Sequence, residues 1–249
     1  MTIPSWEESF ENTDFGDKRR TKRAITVATR IDTKYDTRGA SAALKGHGEL
    51  KAASRLLKCP QVTPESLTEG FMKINCSRIS EPHVLLIEDT SEMNFAWRNK
   101  QIEGLGPTGN NKDQGFFIHP SIIVAPERGE LLGIAALKII TRTHGQNTTK
   151  NEEHKTKDIT EKESYKWIDS PRTGIDRLPT DTIKTIVADR EADIYDLFLE
   201  HHLGRMGEKC ELLIRSAHNR KTLNDGTYLH DEIASWEVQG IHEVFVEGN

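Results

Sequence analysis

The sequence has few cysteines, few aromatic residues and no long apolar run. Its three cysteines, Cys59, Cys76 and Cys210, are odd in number and have no C-x-x-C spacing, which argues against a disulfide framework and against a cysteine zinc site. No apolar run approaches the roughly 18 to 20 residues that span a bilayer, and the first residues lack the pattern of a signal peptide. These absences predict a cytoplasmic protein that is neither exported nor embedded in a membrane.

Acidic residues outnumber basic ones overall, but positive charge is concentrated near the N-terminus. The chain carries a formal net charge of -5, which by itself disfavours nucleic-acid binding. Residues 16–58 nevertheless hold twelve Lys or Arg against four Asp or Glu, so that this segment carries a net charge of about +8. The asymmetry indicates either a nucleic-acid-binding segment or an exposed, solvated helix face.

The first 78 or so residues have the pattern of helices. Ala24, Val27, Ala28 and Ile31 recur at helical spacing, which predicts a helix whose first turns carry the basic residues from Lys18 onwards. A second helix is predicted near residues 49–57, ending before a proline, and a third begins where Thr63 can cap and Pro64 can occupy the first turn.

The pattern changes to strands after Pro82. Apolar, β-branched runs predict a strand at 84–87, a hairpin of 116–124 with 131–140, and strands at 183–188 and 211–215. Between them we expect an exposed loop at 143–157, a helix through Trp167 that begins with a capping box of Thr160 and Glu163, and a helix at 192–203. Three meandering strands followed by strand–helix crossovers predict a mixed α/β sheet.

Two aspartates follow buried strands in matching positions. Asp89 ends the strand of Leu86-Ile87-Glu88-Asp89, and strand alternation places it on the face opposite Glu88. Asp189 lies where a later strand changes to a helix. Acids at the carboxyl ends of strands suit a divalent metal site, since Mg²⁺ prefers oxygen ligands. The alternative is that each aspartate only caps the turn that follows it.

Five motifs occur in the same order as in a known family. They are Gly16-Asp17-Lys18-Arg19-Arg20, Glu49-Leu50-Lys51-Ala52-Ala53, Ile87-Glu88-Asp89-Thr90-Ser91, Glu163-Ser164-x-Lys166-Trp167 and Asp189-Arg190-Glu191-Ala192-Asp193-Ile194. In this order they resemble the transposon-five branch of bacterial insertion-sequence DDE transposases, and the similarity runs over essentially the whole chain.

The resemblance implies both a fold and a chemistry. It implies a helical domain at 1–78 that binds transposon-end DNA, a ribonuclease-H-like core at 79–230 with flanking helices, and the start of a β-rich insertion at 231–249. Asp89 and Asp189 would be the first and second catalytic acids and would bind Mg²⁺, for which Mn²⁺ can substitute. The implied reaction is cut-and-paste transposition, in which metal-bound acids promote phosphodiester cleavage and strand transfer.

The sequence departs from the family at the third acid. That acid lies in a Tyr-x-x-Arg-x-x-x-Glu arrangement, which occurs nowhere in the 249 residues. The expectation is therefore an N-terminal portion of a transposase that is inactive alone. The alternatives are a DNA-binding inhibitor of transposition and a decayed remnant without a role.

The expected partners follow from these assignments. The expected nucleic-acid partner is double-stranded DNA at transposon ends and target sites. The expected protein partner is a second copy of the chain or a full-length transposase, and no membrane is involved. The expected location is the bacterial cytoplasm, in association with the nucleoid. The candidate DNA-binding residues are Lys18, Arg19, Arg20, Lys22, Arg23, Arg30, Lys51, Arg55, Arg215 and Arg220. The last two follow the final predicted strand, where guanidinium groups suit phosphates near the metal.

Overall fold

The N-terminal part of the protein is a group of helices. The computed structural model describes residues 5–11, 13–34, 40–95, 102–109, 112–143, 157–222, 226–241 and 243. The helices in the first of these ranges are α1 (Trp6–Phe10), α2 (Lys18–Thr33), α3 (Ala40–Ala43), α4 (Gly46–Leu57) and α5 (Pro64–Ser77). The predicted all-helical beginning of the chain is confirmed within these residues.

Local capping explains where these helices begin. Asp17 caps α2 by accepting a hydrogen bond from the Arg19 N–H at 2.7 Å. At α5, Thr63 accepts from the Ser66 N–H, the Ser66 hydroxyl accepts from the Thr63 N–H, and Pro64 occupies the first turn, as its missing N–H allows. The predicted start of α5, with its Thr63 cap and Pro64, is therefore confirmed. The helix predicted from Lys18 is also present, and the structure adds Asp17 as its cap.

A mixed sheet forms the second part. Its strands are β1 (His83–Glu88), β2 (Ser91–Asn94), β3 (Gly106–Pro107), β4 (Gln114–Ala125), β5 (Glu130–Ile140), β6 (Ile183–Ala188) and β7 (Cys210–Ile214). β1, β6 and β7 are adjacent and parallel, whereas β4 runs antiparallel to β1 and to its hairpin partner β5. β2 and β3 also pair with β4.

Helices cover one face of this sheet. They are α6 (Lys166–Ile175) and α7 (Tyr195–His202), and a further short helix, α8 (Leu229–Ala234), follows β7. The main core contains Val84 and Leu86 of β1, Ile186 of β6, Trp167 of α6 and Leu197 of α7. The fold is thus mixed α/β, as predicted. Across the described ranges, no helix combines the length and the hydropathy that crossing a bilayer requires.

Helix α5 belongs to both cores. Leu67 packs against the helical core of Phe10, Phe15 and Val62, whereas Cys76, near the other end of α5, lies in the core of the sheet. The side chain of Asn75 on α5 donates to the Leu132 carbonyl and accepts from the Ile134 N–H, both at 3.0 Å, and thereby joins the helix to β5. The predicted boundary after residue 78 lies just beyond this shared helix.

Several local predictions were wrong. Thr160 does not cap a helix with Glu163: Asp158 caps a 3₁₀ helix at Ile159–Glu161, and α6 begins only at Lys166, after a second 3₁₀ helix. The helix predicted at 192–203 is confirmed as α7, but it begins only at Tyr195, after a 3₁₀ turn at Arg190–Ala192. Most of the loop predicted at 143–157 lies outside the described residues, and residues 237–241 of the predicted β-rich segment are not in a strand.

Candidate nucleic-acid interface and metal site

The basic residues at the start of α2 lie beside the end of α4. Near the start of α2, Arg20 donates to Gln61, which follows α4, at 3.3 Å. Near the end of α2, Arg30 pairs with Glu49 at the start of α4 at 3.1 Å. The two contacts show that α2 and α4 run antiparallel. The first turns of α2 and the last turns of α4 therefore share one end of the helix pair.

The candidate DNA-binding side chains of α2 and α4 fall into two groups. Those of the first group are exposed: Lys18, Arg19, Lys22, Lys51 and Arg55. Lys58, which the sequence reasoning counted in the charge but not among the contacts, is exposed beside them. The second group consists of Arg20, Arg23 and Arg30, which are half-buried. In this group Arg20 also donates to the Phe15 carbonyl at 2.9 Å, so that Arg20 and Arg30 both have roles in the packing.

The charge at the start of α2 opposes the helix dipole. A helix N-terminus carries a partial positive charge and favours acidic side chains, yet the first turn of α2 contains no acid and begins Lys-Arg-Arg. Hydrogen bonds from the Arg19 side chain and backbone lower the pKa of Asp17 to about 2, so that the cap stays ionised. A cluster that disfavours its own helix is well placed to bind an anion such as a DNA phosphate.

Asp89, Asp189 and Arg215 lie side by side at the carboxyl edge of the parallel strands. The last paired residues are Glu88 with Ala188 and Ala188 with Ile214, so that these three residues occupy the next position on β1, β6 and β7. The Arg215 N–H still donates to the Ala188 carbonyl at 3.1 Å, which extends the ladder by one residue. By strand alternation all three side chains face away from the main core. The structure thus brings together three of the predicted site residues.

Each aspartate also makes the local capping contact that the alternative interpretation expects. Asp89 Oδ1 accepts from the Thr90 N–H at 2.7 Å, and Asp189 Oδ1 accepts from the Glu191 N–H at 2.8 Å. Both side chains are exposed, and these bonds occupy one oxygen of each carboxylate. Neighbouring strands of a sheet lie about 4.8 Å apart, so the backbones of residues 89 and 189 are close to each other. Mg²⁺ in proteins is commonly held by one or two carboxylates and substrate phosphates. The described residues contain no cluster of three or more His, Cys, Asp or Glu suited to a metal ion.

Arg220 lies in a different environment from Arg215. Arg215 is exposed, whereas Arg220 pairs with Asp193, whose side chain is only 2% exposed. Asp193 also accepts from the Ala217 and His218 N–H groups at 2.6 and 2.9 Å. The second aspartate of the Asp-Arg-Glu-Ala-Asp motif therefore fixes the segment that carries Arg215, and Arg220 takes part in that fixation.

The motif around Lys166 forms a charged cluster near Glu191. Arg142, two residues after β5, makes a two-point contact with Glu163, at 2.6 and 2.7 Å. Its guanidinium lies 4.2 Å from the centre of the Phe117 ring. Lys166, 7% exposed at its side chain, lies 3.7 Å from Glu163 and 3.9 Å from Glu191. These contacts place the Glu163–Trp167 motif next to the turn that follows Asp189.

Sequence reasoning missed two buried polar residues beside Asp89. Glu88 is 2% exposed, and its Oε2 lies 2.9 Å from Nε2 of the fully buried His119. Burial raises the pKa of the Glu88 carboxyl, and the neighbouring His119 and Ser121 offset part of the rise. A signal was available, because Glu88 and His119 occupy the inward-facing positions of their strands, where a polar side chain needs a partner.

The helical part matches a known family. Residues 4–62 match the transposase DNA-binding family. The match covers α1 to α4, including the basic end of the helix pair, and supports a transposase-related DNA-binding role with DNA as the partner. It ends before α5 and the sheet, so that the carboxyl-edge residues lie outside the matched region.

Proposed function

We propose that the chain is a DDE transposase component of the transposon-five type, whose helical part binds transposon-end DNA and whose sheet edge holds Mg²⁺ between Asp89 and Asp189. The observation that carries the proposal is the shared register of β1, β6 and β7, which aligns the two acids with Arg215. Strand order supports it further, since an antiparallel meander followed by two parallel strands is the ribonuclease-H-like arrangement that the sequence motifs imply.

The residues of this edge have complementary tasks. Asp89 and Asp189 would hold the metal, and Mg²⁺, when bound, activates water and neutralises charge at a phosphodiester. Arg215 would contact a phosphate beside Asp189 through its planar guanidinium. Asp193 holds the Arg215 segment, so that phosphate and acids are kept at a fixed spacing.

DNA binding is tested through its dependence on salt. Lys18→Ala/Lys22→Ala should weaken binding to a short fluorescein-labelled duplex and reduce the slope of log K against log [salt] by about 1.8, at about 0.9 for each lost phosphate contact. Lys73→Ala/Lys209→Ala is the matched control, because it removes the same charge from exposed lysines elsewhere. Equal effects of the two pairs would show that binding follows total charge and not the basic end of α2 and α4.

A DNA-binding protein that occupies transposon ends without cutting them is the second candidate function. It is favoured by the family match, which covers the helices at 4–62 and not the sheet edge, and by the local hydrogen bonds that each aspartate makes to the turn that follows it. We expect the chain alone, with Mn²⁺, to bind labelled duplexes that carry terminal inverted repeats without nicking them. Nicking that Asp89→Ala abolishes would contradict this candidate and would show that another acid completes the site.

A further inference from the structure

A buried histidine contacts both neighbours of Asp89. His119 of β4 has a side chain with no exposed surface. Its Nδ1 lies 2.9 Å from the Thr90 hydroxyl, and its Nε2 lies 2.9 Å from the Glu88 carboxylate. One imidazole ring therefore spans the residues immediately before and after the proposed metal ligand.

The strand register explains why the ring reaches both neighbours. β4 pairs Ser121 with Glu88 of β1 and Ile118 with Ser91 of β2, in one continuous antiparallel register. Thr90 therefore lies opposite His119, and Asp89 lies opposite residue 120. Alternation places residues 88 and 90 on the inner face with His119, so that Asp89 is left on the outer face.

The ladder itself cannot fix Asp89 as it fixes the rest of β1. The residue opposite Asp89 is Pro120, which has no N–H to donate to a neighbouring strand. The regular strand accordingly stops at Glu88 and resumes at Ser91. At this break, side-chain contacts must supply the constraint that backbone hydrogen bonds supply elsewhere.

The histidine ring is itself held in place. The indole of Trp167 meets it edge-on, with 4.6 Å between the ring centres and 85° between the planes, and Trp167 is only 2% exposed. Movement of the imidazole would therefore disturb the packing of α6 on the sheet. A ring fixed in this way can transmit the rigidity of the core to the break in the strand.

We propose that His119 is the positioning residue of Asp89: its hydrogen bond with the Thr90 hydroxyl holds Thr90 inward, beside the buried Glu88, and thereby directs the Asp89 carboxylate toward a divalent cation at the outer edge. The inference rests on the proposed function, in which Asp89 binds Mg²⁺ or Mn²⁺. Partners that orient a metal ligand typically change metal affinity by 10- to 100-fold when they are removed.

The test removes the Thr90 hydroxyl without changing the size of the side chain. Thr90→Val should weaken Mn²⁺ binding by about 10-fold or more, measured by electron paramagnetic resonance of free Mn²⁺, and Thr90→Ser should restore it. The second measurement is amide hydrogen exchange in the absence of metal. The amide of residue 90 donates to Asp89 Oδ1, and its protection from exchange should fall in Thr90→Val. Near-ultraviolet circular dichroism checks that each variant is folded.

The sheet provides a matched control. Thr185 of β6 makes the same kind of contact with His83, at 2.9 Å, away from the two acids. Thr185→Val should therefore leave both the Mn²⁺ affinity and the exchange protection of the residue 90 amide unchanged. If Thr90→Val binds Mn²⁺ as the wild type does while Asp89→Asn does not, the positioning role is wrong and the metal site stands. If wild type and Asp89→Asn bind Mn²⁺ equally, the proposed metal site fails, and the role of His119 fails with it.

Discussion

Replacing Asp193 by asparagine should destabilise the protein by about 3 kcal/mol. One carboxylate oxygen accepts from the Ala217 and His218 N–H groups, and the other pairs with Arg220. Asparagine must turn its NH₂ group toward one of these donors, and it loses the charge. Hydrogen bonds to charged groups contribute about 1.5–3 kcal/mol each, and breaking a buried pair costs about 3–5 kcal/mol. The lower end of the range for a buried pair applies, because the Arg220 side chain is 34% exposed.

The prediction is tested by urea unfolding at neutral pH, followed by tryptophan fluorescence. In thermal unfolding, a loss of about 3 kcal/mol corresponds to a decrease of about 6–12 °C in Tm for a chain of this size. Asp196→Asn serves as the control, because Asp196 is half-buried on the adjacent helix and makes no side-chain hydrogen bond or ion pair with any described residue. A loss of less than about 1 kcal/mol in Asp193→Asn would refute the assignment of Asp193 as the group that fixes the Arg215 segment.

The effect should also depend on pH. Burial alone would raise the pKa of Asp193, but hydrogen bonds from Ala217 and His218 and the Arg220 guanidinium outweigh it, so that the pKa is lowered from 3.8. A lowered folded-state pKa gives stability that is present above the unfolded-state pKa and is lost as the pH falls through the folded value. The difference between wild type and Asp193→Asn should therefore stay constant down to about pH 4 and shrink below it. A constant difference through the acid range would contradict the ionic role.

Two further predictions concern packing and thiol chemistry. A Cβ on Gly70 would lie 1.8 Å from the Ser9 carbonyl oxygen. Gly70→Ala should therefore destabilise the protein by about 1–3 kcal/mol in urea unfolding. Gly48 has open space around it, so Gly48→Ala should stabilise the protein slightly. Burial raises the pKa of Cys76 to about 12, whereas Cys59 is half-buried. In the native protein, iodoacetamide should therefore modify Cys59 first, as measured by peptide mapping. Early modification of Cys76 would contradict the packing.

Much of the fold could be predicted because its signals are local or periodic. Residue spacing and capping residues can be read from the sequence alone. They predict the helix from Lys18, the Thr63 cap and the hairpin of β4 and β5. β2 and β3 could not be predicted in this way. They are short, and β2 (Ser-Glu-Met-Asn) lacks apolar alternation, so that it is a strand only because β4 offers a continuous edge.

The candidate site was predicted less completely for a similar reason. Asp89 and Asp189 were visible because each follows an apolar run. The capping box predicted at Glu163 failed because that carboxylate pairs instead with Arg142, 21 residues earlier, and no local pattern announces such a contact. The contacts of His119 with residues 88 and 90 depend in the same way on which strand lies beside which, and sequence periodicity does not give that register.

The helix shared by the two cores joins the helical part of the protein directly to the sheet. α5 has 14 residues and is therefore about 21 Å long. Arg78 at its end pairs with Glu8 of α1 at 2.5 Å, and Arg177, before β6, pairs with Glu69 of α5. α5 thus acts as a rigid spacer between the two parts. In the proposed function, a duplex held by the basic end of α2 and α4 would therefore meet the sheet edge at a fixed distance and angle.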